Sequence, residues 1–568
     1  MTIAASKNIL SAGILAASWF AWMAVAQGSD WPQWGGHDNR NMVASATHLP
    51  TDFNPGKKRP DGSGIDPRTT DRVRWTARLG SQVYASPTIS QGRVFVGTND
   101  QFLHDPRYEE TGGGLLLCLD EATGKTLWQL VVGKVERSYK TRKYHNRLQV
   151  GVCSPATVEG NRVYVVTNRA EVLCLDLNGM ADGNQGPFTD ECHYTRGAAQ
   201  PPVAIGPGDA DIVWRYDMLH ELPIFPHDAN CSAVLIHGDV LYVGTANGVD
   251  NDNTPYPLAP SVIALDKHTG RLVGYDDARI GSRVYHGQWS SPSFGQVGSK
   301  GLVFFGGGDG ICYAFEALES LPEKPGPLKC AWSCDCNPPE YRFRDGKPID
   351  YWDGAIGYGD ANHDDGAYVG PSEIIATPVF YKNRVYVALG QDPTHGRGRG
   401  MLTCIDATMT GDISKTGKIW TFDKLDRSLS TVSIADGLLY IADLPGRLYC
   451  LDAETGNCYW THDTKQQVWG STLVADGKVY LGTQKALWVF AAGKADRVLN
   501  QVRLGSPIWS TPTAAGGTLY VASQRYLWAI ESRRPSAPAV LAKAGAPSHS
   551  PPAHPVEARA PQSAKHTL

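Results

Sequence analysis

One phrase recurs along this chain and constrains its fold more than any other feature. It runs from a small residue, often Ser-Pro, through Gly, a β-rich "VYVGT" run and an "LxCLD" run to a closing "xTGxxxW". The clearest copies read SPTISQGRVFVGT…LLLCLDEATGKTLW (Ser86 to Trp128) and STVSIADGLLYIAD…RLYCLDAETGNCYW (Ser430 to Trp460). Self-similarity of one small β unit predicts an array, and a propeller is the closed form of that array.

The "VYVGT"-type strand begins at Arg93, Arg162, Val240, Leu302, Arg384, Leu438, Lys478 and Thr518. Alternating apolar positions rich in β-branched and aromatic residues mark each copy as a strand, and the preceding Gly or Asn marks a turn. An "LxxLD"-like strand follows most copies. Outer-strand candidates come next, such as IVWRYDM from Ile212, KIWTFDK from Lys418 and CYWTHDT from Cys458. The last copy ends at Ile530 with no outer strand after it, whereas a spare one, DRVRWTARLG (Asp71 to Gly80), precedes the first. The expected fold is therefore all-β, an eight-bladed β-propeller over residues 71–531. An N-terminal strand completes its last blade and removes exposed sheet edges. The fourth copy is the weakest, because a long insertion interrupts its continuation.

The "LDxxTG" turn explains itself mechanically. Asp120, Asp406 and Asp452 can hydrogen-bond turn backbone. Gly124, Gly270 and Gly456 permit positive φ, and Trp128, Trp420 and Trp460 can pack on a neighbouring blade. These residues read as architecture.

The flanks differ in character. Lys7, an apolar stretch from Ile9 and Ala24-Val25-Ala26 form a secretory signal over residues 1–26, which implies a periplasmic or extracellular protein. Membrane association is expected only if that segment stays uncleaved. Residues 27–70 are read as an extension packing on the ring, and 532–568 as a disordered Pro/Ala-rich tail without hydrophobic period. Insertions around 98–113, 136–150, 178–211, 246–260 and 316–372 lengthen the earlier blades, and if they share a face, that face carries the function. A net charge of −4, without a basic stripe, argues against nucleic acid as a partner.

Twelve cysteines in an exported chain invite a disulfide framework. Cys118, Cys174, Cys404 and Cys450 occupy a repeat slot that Ala264 fills in the third copy, so they read as small core residues. Cys330, Cys334 and Cys336 cluster in an insertion, as a disulfide or part of a metal site. Pairing among Cys153, Cys192, Cys231, Cys312, Cys330, Cys334, Cys336 and Cys458 stays open.

Polar residues concentrate between the strands: His227, Asp228 and Asn230; His286, Gln288 and Trp289; Asp309; and Gln391, Asp392 and His395. Equivalent propeller loops converge near the central channel. These ten residues form a candidate channel-mouth cluster able to bind a metal or share a proton, or simply to tie blades together. In GYGDANHDDG, Asp360, Asn362 and Asp364 alternate like the start of an EF-hand loop. Asp365, however, stands where Gly belongs, and Pro371 where the bidentate Glu belongs. VDNDN (Val249 to Asn253) is a shorter cluster of the same kind.

With "CLDEATGKTLW", "CLDAETGNCYW" and "DWPQWGG" (Asp30 to Gly36) in view, the chain resembles the pyrroloquinoline-quinone-like (PQQ-like) propeller repeat family over nearly all of residues 30–530. It looks like the exported, many-loop branch found in planctomycete-type bacteria. The resemblance implies a fold shared by quinone-dependent dehydrogenases and non-catalytic assembly propellers. A dehydrogenase of the family would use a Ca²⁺-held quinone, a catalytic Asp, a stacking Trp and an adjacent Cys-Cys disulfide. This chain has no Cys-Cys pair and no CxxCH haem attachment, so no residue is assigned a catalytic role. The first functional expectation is a binding scaffold for a protein or polysaccharide partner. The alternative is a dehydrogenase of alcohols or sugars with PQQ and Ca²⁺ as cofactors, and a third reading is a metal-dependent lyase or hydrolase.

Overall fold

Each "VYVGT" strand sits second in a meander of four antiparallel strands, and eight such meanders close a ring. A computed structural model describes residues 30–134, 145, 147–196, 200–250, 253–349, 370–390 and 399–532. The expectations on Gln391, Asp392, His395, Asp360, Asn362 and Asp364, on the signal and on the tail lie outside the described residues. Among the described residues no helix is long and apolar enough to cross a membrane.

Blade 1 is representative: Thr88–Ser90, Arg93–Asn99, Gly114–Asp120 and Thr126–Val132 pair in sequence order from inner to outer strand. The inner strands of blades 2 to 8 are Thr157–Glu159, Leu235–His237, Ser293–Val297, Val379–Tyr381, Ser433–Ala435, Thr472–Ala475 and Thr513–Ala515. Blade 8 takes its outer strand from the N-terminal side. Val73–Arg78 pairs antiparallel with Tyr526–Glu531, so the ring is closed by hydrogen bonds. The fourth blade is complete as well, because its outer strand, Cys330–Asp335, lies inside the insertion that interrupts the repeat.

The slot shared by Cys118, Cys174, Cys404, Cys450 and Ala264 is fully buried and adjoins a β-bulge against the outer strand. A bulge tightens the local twist and crowds the next blade, which favours a small side chain there.

Neighbouring blades are joined by tryptophan. Trp75, Trp128, Trp214, Trp332, Trp420 and Trp460 each donate Nε1–H to a carbonyl in the following blade, at 2.8–3.2 Å. Glycine makes room for them. A Cβ on Gly124, Gly270 or Gly456 would stand 2.4, 2.5 or 2.7 Å from the ring of Trp75, Trp214 or Trp420, and all three glycines have φ of +70 to +74°. The turn glycine is therefore required twice, for its backbone and for the indole above it.

Residues 31–44 cross the ring in blade order. Trp31 exchanges backbone hydrogen bonds with Ile89, and Pro32 accepts from Val158. Arg40 reaches Val234 and Pro292, Asp38 accepts from Phe294, and Asn39 accepts from Phe380. Asn41 brackets Ile434 and Met42 accepts from Val474, after which Val43–Ala44 runs parallel to Val474–Ala475. This stretch plugs the end of the channel toward which the inner strands run.

Candidate functional site at the open channel mouth

At the opposite end, where the inner strands begin, the channel opens. Directly before the small and hydroxyl residues that lead into each inner strand stand Tyr84, Cys153, Cys231, Trp289, Ile375, Leu429, Trp469 and Trp509. All eight line one cavity of about 240 Å³. All but Cys153 are partly exposed, and each lies between buried chain neighbours. Eight equivalent positions thus supply one side chain apiece to a single apolar, aromatic wall.

A belt of hydroxyls two residues further on fixes this ring. The backbone N–H of Ala233, Thr377, Thr431, Ser471 and Thr511 donates to Ser291, Thr431, Ser471, Thr511 and Ser86 of the next blade, at 2.8–3.1 Å. In blade 2 the donor is replaced by Pro155, which has no N–H. The matching position in blade 3 is Ala233, which has no hydroxyl to leave unmet. The hydroxyl residue of this signature, Ser86 or Ser291 before its Pro, is thus an inter-blade joint, and the mouth residue stands two positions before it.

Trp469 and Trp509 stack, with centroids 5.3 Å apart and planes at 29°, and Tyr84 lies 5.7 Å from Trp469. Trp289 is held by an Nε1–H bond to the His227 carbonyl. Cys153 and Cys231, from adjacent blades, are in thiol–thiol contact, which together with burial pushes the Cys153 thiol well above its usual range.

The candidate cluster divides. Asp228 and Trp289 line the cavity. His227 and His286 stand just behind, their rings 4.1 Å apart, with His286 5.3 Å from Trp289. Asn230 and Gln288 instead tie the scaffold: Asn230 donates to the Gly244 carbonyl, and Gln288 to the Asn247 carbonyl and the Ser261 hydroxyl. Asp309 is wholly buried against Arg283 and the Tyr313 hydroxyl, and burial raises its carboxyl to about 6. His145 joins the histidines near His227, and burial pulls it down to about 4.

The insertions do not share one face. Residues 98–113 and 246–260 link second to third strands on the mouth side, whereas 178–211 links third to fourth strands on the plugged side. That far insertion carries Asp190, Cys192 and His193, the one group among the described residues with metal-ligand proximity. In blade 4, Cys334 faces Cys312 across the sheet and touches Cys336.

The quinone implied by the resemblance is a polycarboxylate, and Ca²⁺ takes six to eight oxygen ligands. The described lining offers one carboxylate, Asp228, and neither Lys nor Arg. A polyanion entering this apolar wall would lose its hydration without a counter-ion. The described residues do not fit that cofactor.

What escaped the sequence reading was the ring of mouth residues other than Trp289. The signal was present, as one variable residue preceding a pair of small residues, at least one of them Ser or Thr, in every repeat.

Comparison with known proteins places the architecture. The family model described as outer membrane protein assembly factor BamB matches residues 110–313 and 398–526, more than half of the chain. Among solved structures, a europium-containing methanol dehydrogenase is 12% identical with a TM-score of 0.52, over 87% of this chain and 89% of that one. BamB from Moraxella catarrhalis is 14% identical with a TM-score of 0.48, over 81% of this chain and 99% of that one. Quinohemoprotein alcohol dehydrogenase from Comamonas testosteroni is 14% identical with a TM-score of 0.44, over 89% and 81%. At such identity the likeness concerns the fold. No curated protein matches the sequence.

Proposed function

The chain belongs to the family described as outer membrane protein assembly factor BamB, and from that premise we propose that it is an exported binding module seating a protein partner on the open mouth of its channel. The observation that carries this reading is the asymmetry of the channel. One end is plugged by residues 31–44, while the other presents a concave wall of Trp289, Trp469, Trp509 and Tyr84. Half-buried aromatics in a rigid concave setting are what binding hot spots are made of. A polysaccharide needs a dense set of hydrogen-bonding groups, and this wall has few, which favours a protein side chain as the occupant.

The test is a photo-crosslinking amino acid at Leu148, half exposed on the cavity rim, and at Ala122 on the plugged side, in cells producing the full chain. The proposal expects a discrete adduct from Leu148 that disappears in Trp469→Ala, and none from Ala122. Adducts from Ala122 alone, or a Leu148 adduct indifferent to Trp469→Ala, would overturn it.

A further inference from the structure

We propose that the mouth is an aromatic cage for an organic cation, an alkylammonium or guanidinium head such as a basic side chain of the partner. This rests on the mouth being the binding site and names what enters it.

Charge and shape lead to the same class. The faces of aromatic rings carry negative potential, Trp most strongly, and attract cations within about 6 Å of the ring centroid. Trp289, Trp469, Trp509 and Tyr84 supply four such rings around one cavity. Asp228 supplies the only charged group among its described lining residues, and it is negative. Its side chain is about one-fifth exposed, enough to meet a ligand and buried enough to escape full screening.

The geometry also fixes the rings in place. Trp469 is placed by stacking on Trp509 and by its contact with Tyr84, since its buried Nε1–H has no hydrogen-bond partner among the described residues. Trp289 is oriented by its bond to the His227 carbonyl. Cavities for drug-sized ligands run to about 300–1,000 Å³, so a space of about 240 Å³ suits a head group. A cation leaving water for an apolar wall needs compensation, and π faces with one carboxylate provide it.

The experiment is a tryptophan-fluorescence titration of the full chain with choline, set against its neutral isostere 3,3-dimethylbutanol. Saturable quenching by choline, with the isostere weaker by roughly tenfold or more, is expected from desolvated cation–π contacts. Asp228→Asn should weaken choline and leave the isostere unchanged. Trp469→Phe, which keeps a ring, should weaken choline less than Trp469→Ala, with thermal melts confirming that both variants fold. Equal affinity for the two ligands would overturn the cation and leave an apolar partner site standing. Quenching by neither would overturn the cage, while the Leu148 crosslink still decides whether the mouth binds a partner.

Discussion

Trp469 and Trp509, supplied by blades 7 and 8, stack at 5.3 Å in the wall of the channel mouth. Both stand at the same repeat position, so propeller symmetry itself brings them together. Neither belongs to a blade core, which separates their contribution to binding from their contribution to folding. Trp469→Ala is predicted to reduce partner binding by about 30-fold or more, the scale of a hot-spot truncation, with little change in melting temperature. Quantitative capture of the crosslinked partner, alongside a thermal melt, checks both halves.

The plug makes the opposite prediction. Arg40 is wholly buried, and its guanidinium donates to the carbonyls of Trp34, Val234 and Pro292 and to Gln33 Oε1. Arg40→Ala removes the donor from the Trp34 and Pro292 carbonyls, leaves the Val234 carbonyl to the Thr157 hydroxyl, and opens a void between blades 3 and 4. Urea unfolding should show a loss of about 3 kcal/mol, the scale for breaking a buried charged network. Binding per folded molecule should not change.

The tryptophan joints can be tested by comparing two glycines. Gly456 has φ +74° and lies under Trp420, whereas Gly477 has φ +67° with nothing within 4 Å of a built Cβ. Gly477→Ala should cost about 1–2 kcal/mol, the backbone penalty alone. Gly456→Ala should exceed it by about 1–3 kcal/mol, the added cost of overpacking against the indole. Equal losses would mean that the ring moves aside freely.

The same pair of glycines shows what the sequence could reveal. Both mark turns in the sequence, and Gly456 also permits positive φ, yet only the folded ring shows that one of them also lies beneath a neighbour's indole. The blades were legible because strand alternation and the turn chemistry of Asp120, Asp452 and their threonines are local. Closure was legible because Trp75 sits on a spare strand. The mouth was not, because Tyr84, Cys231 and Trp469 share a position but not a chemical type, and convergence is a property of the ring. His227 and Asp228 stood out for their chemistry, but sequence could not separate them from Asn230 and Gln288, whose amide N–H groups tie the scaffold together.

Cys153 and Cys231 meet in the cavity wall as free thiols. A disulfide oxidant such as diamide is predicted to couple them, each thiol losing its proton and the oxidant taking up the electron pair. Burial and the neighbouring thiol disfavour the Cys153 thiolate, so coupling should accelerate as pH rises. Non-reducing peptide mapping should find the 153–231 link, and Cys231→Ser should remove it.

Asp443 makes stability depend on pH. Burial raises its carboxyl to about 6 against bonds from the Arg447 N–H and the Tyr449 hydroxyl. The folded chain therefore holds this proton where the unfolded chain has released it, between roughly pH 4 and 6, and stability falls as pH rises through that window. Asp443→Asn should flatten the fall by about 1–3 kcal/mol, read as the difference between variant and parent urea melts at pH 4 and pH 7.

The most direct test of the central claim, a mouth built to bind a partner rather than to hold a quinone, is a titration of the full chain with pyrroloquinoline quinone and Ca²⁺. Absorbance and tryptophan quenching would be followed together. The account predicts no saturable, Ca²⁺-dependent quenching and no shift of the quinone spectrum, because the described lining gives a polyanion no cation. Saturable binding with a perturbed spectrum, lost in Trp469→Ala, would contradict it and place a dehydrogenase cofactor in the same cavity.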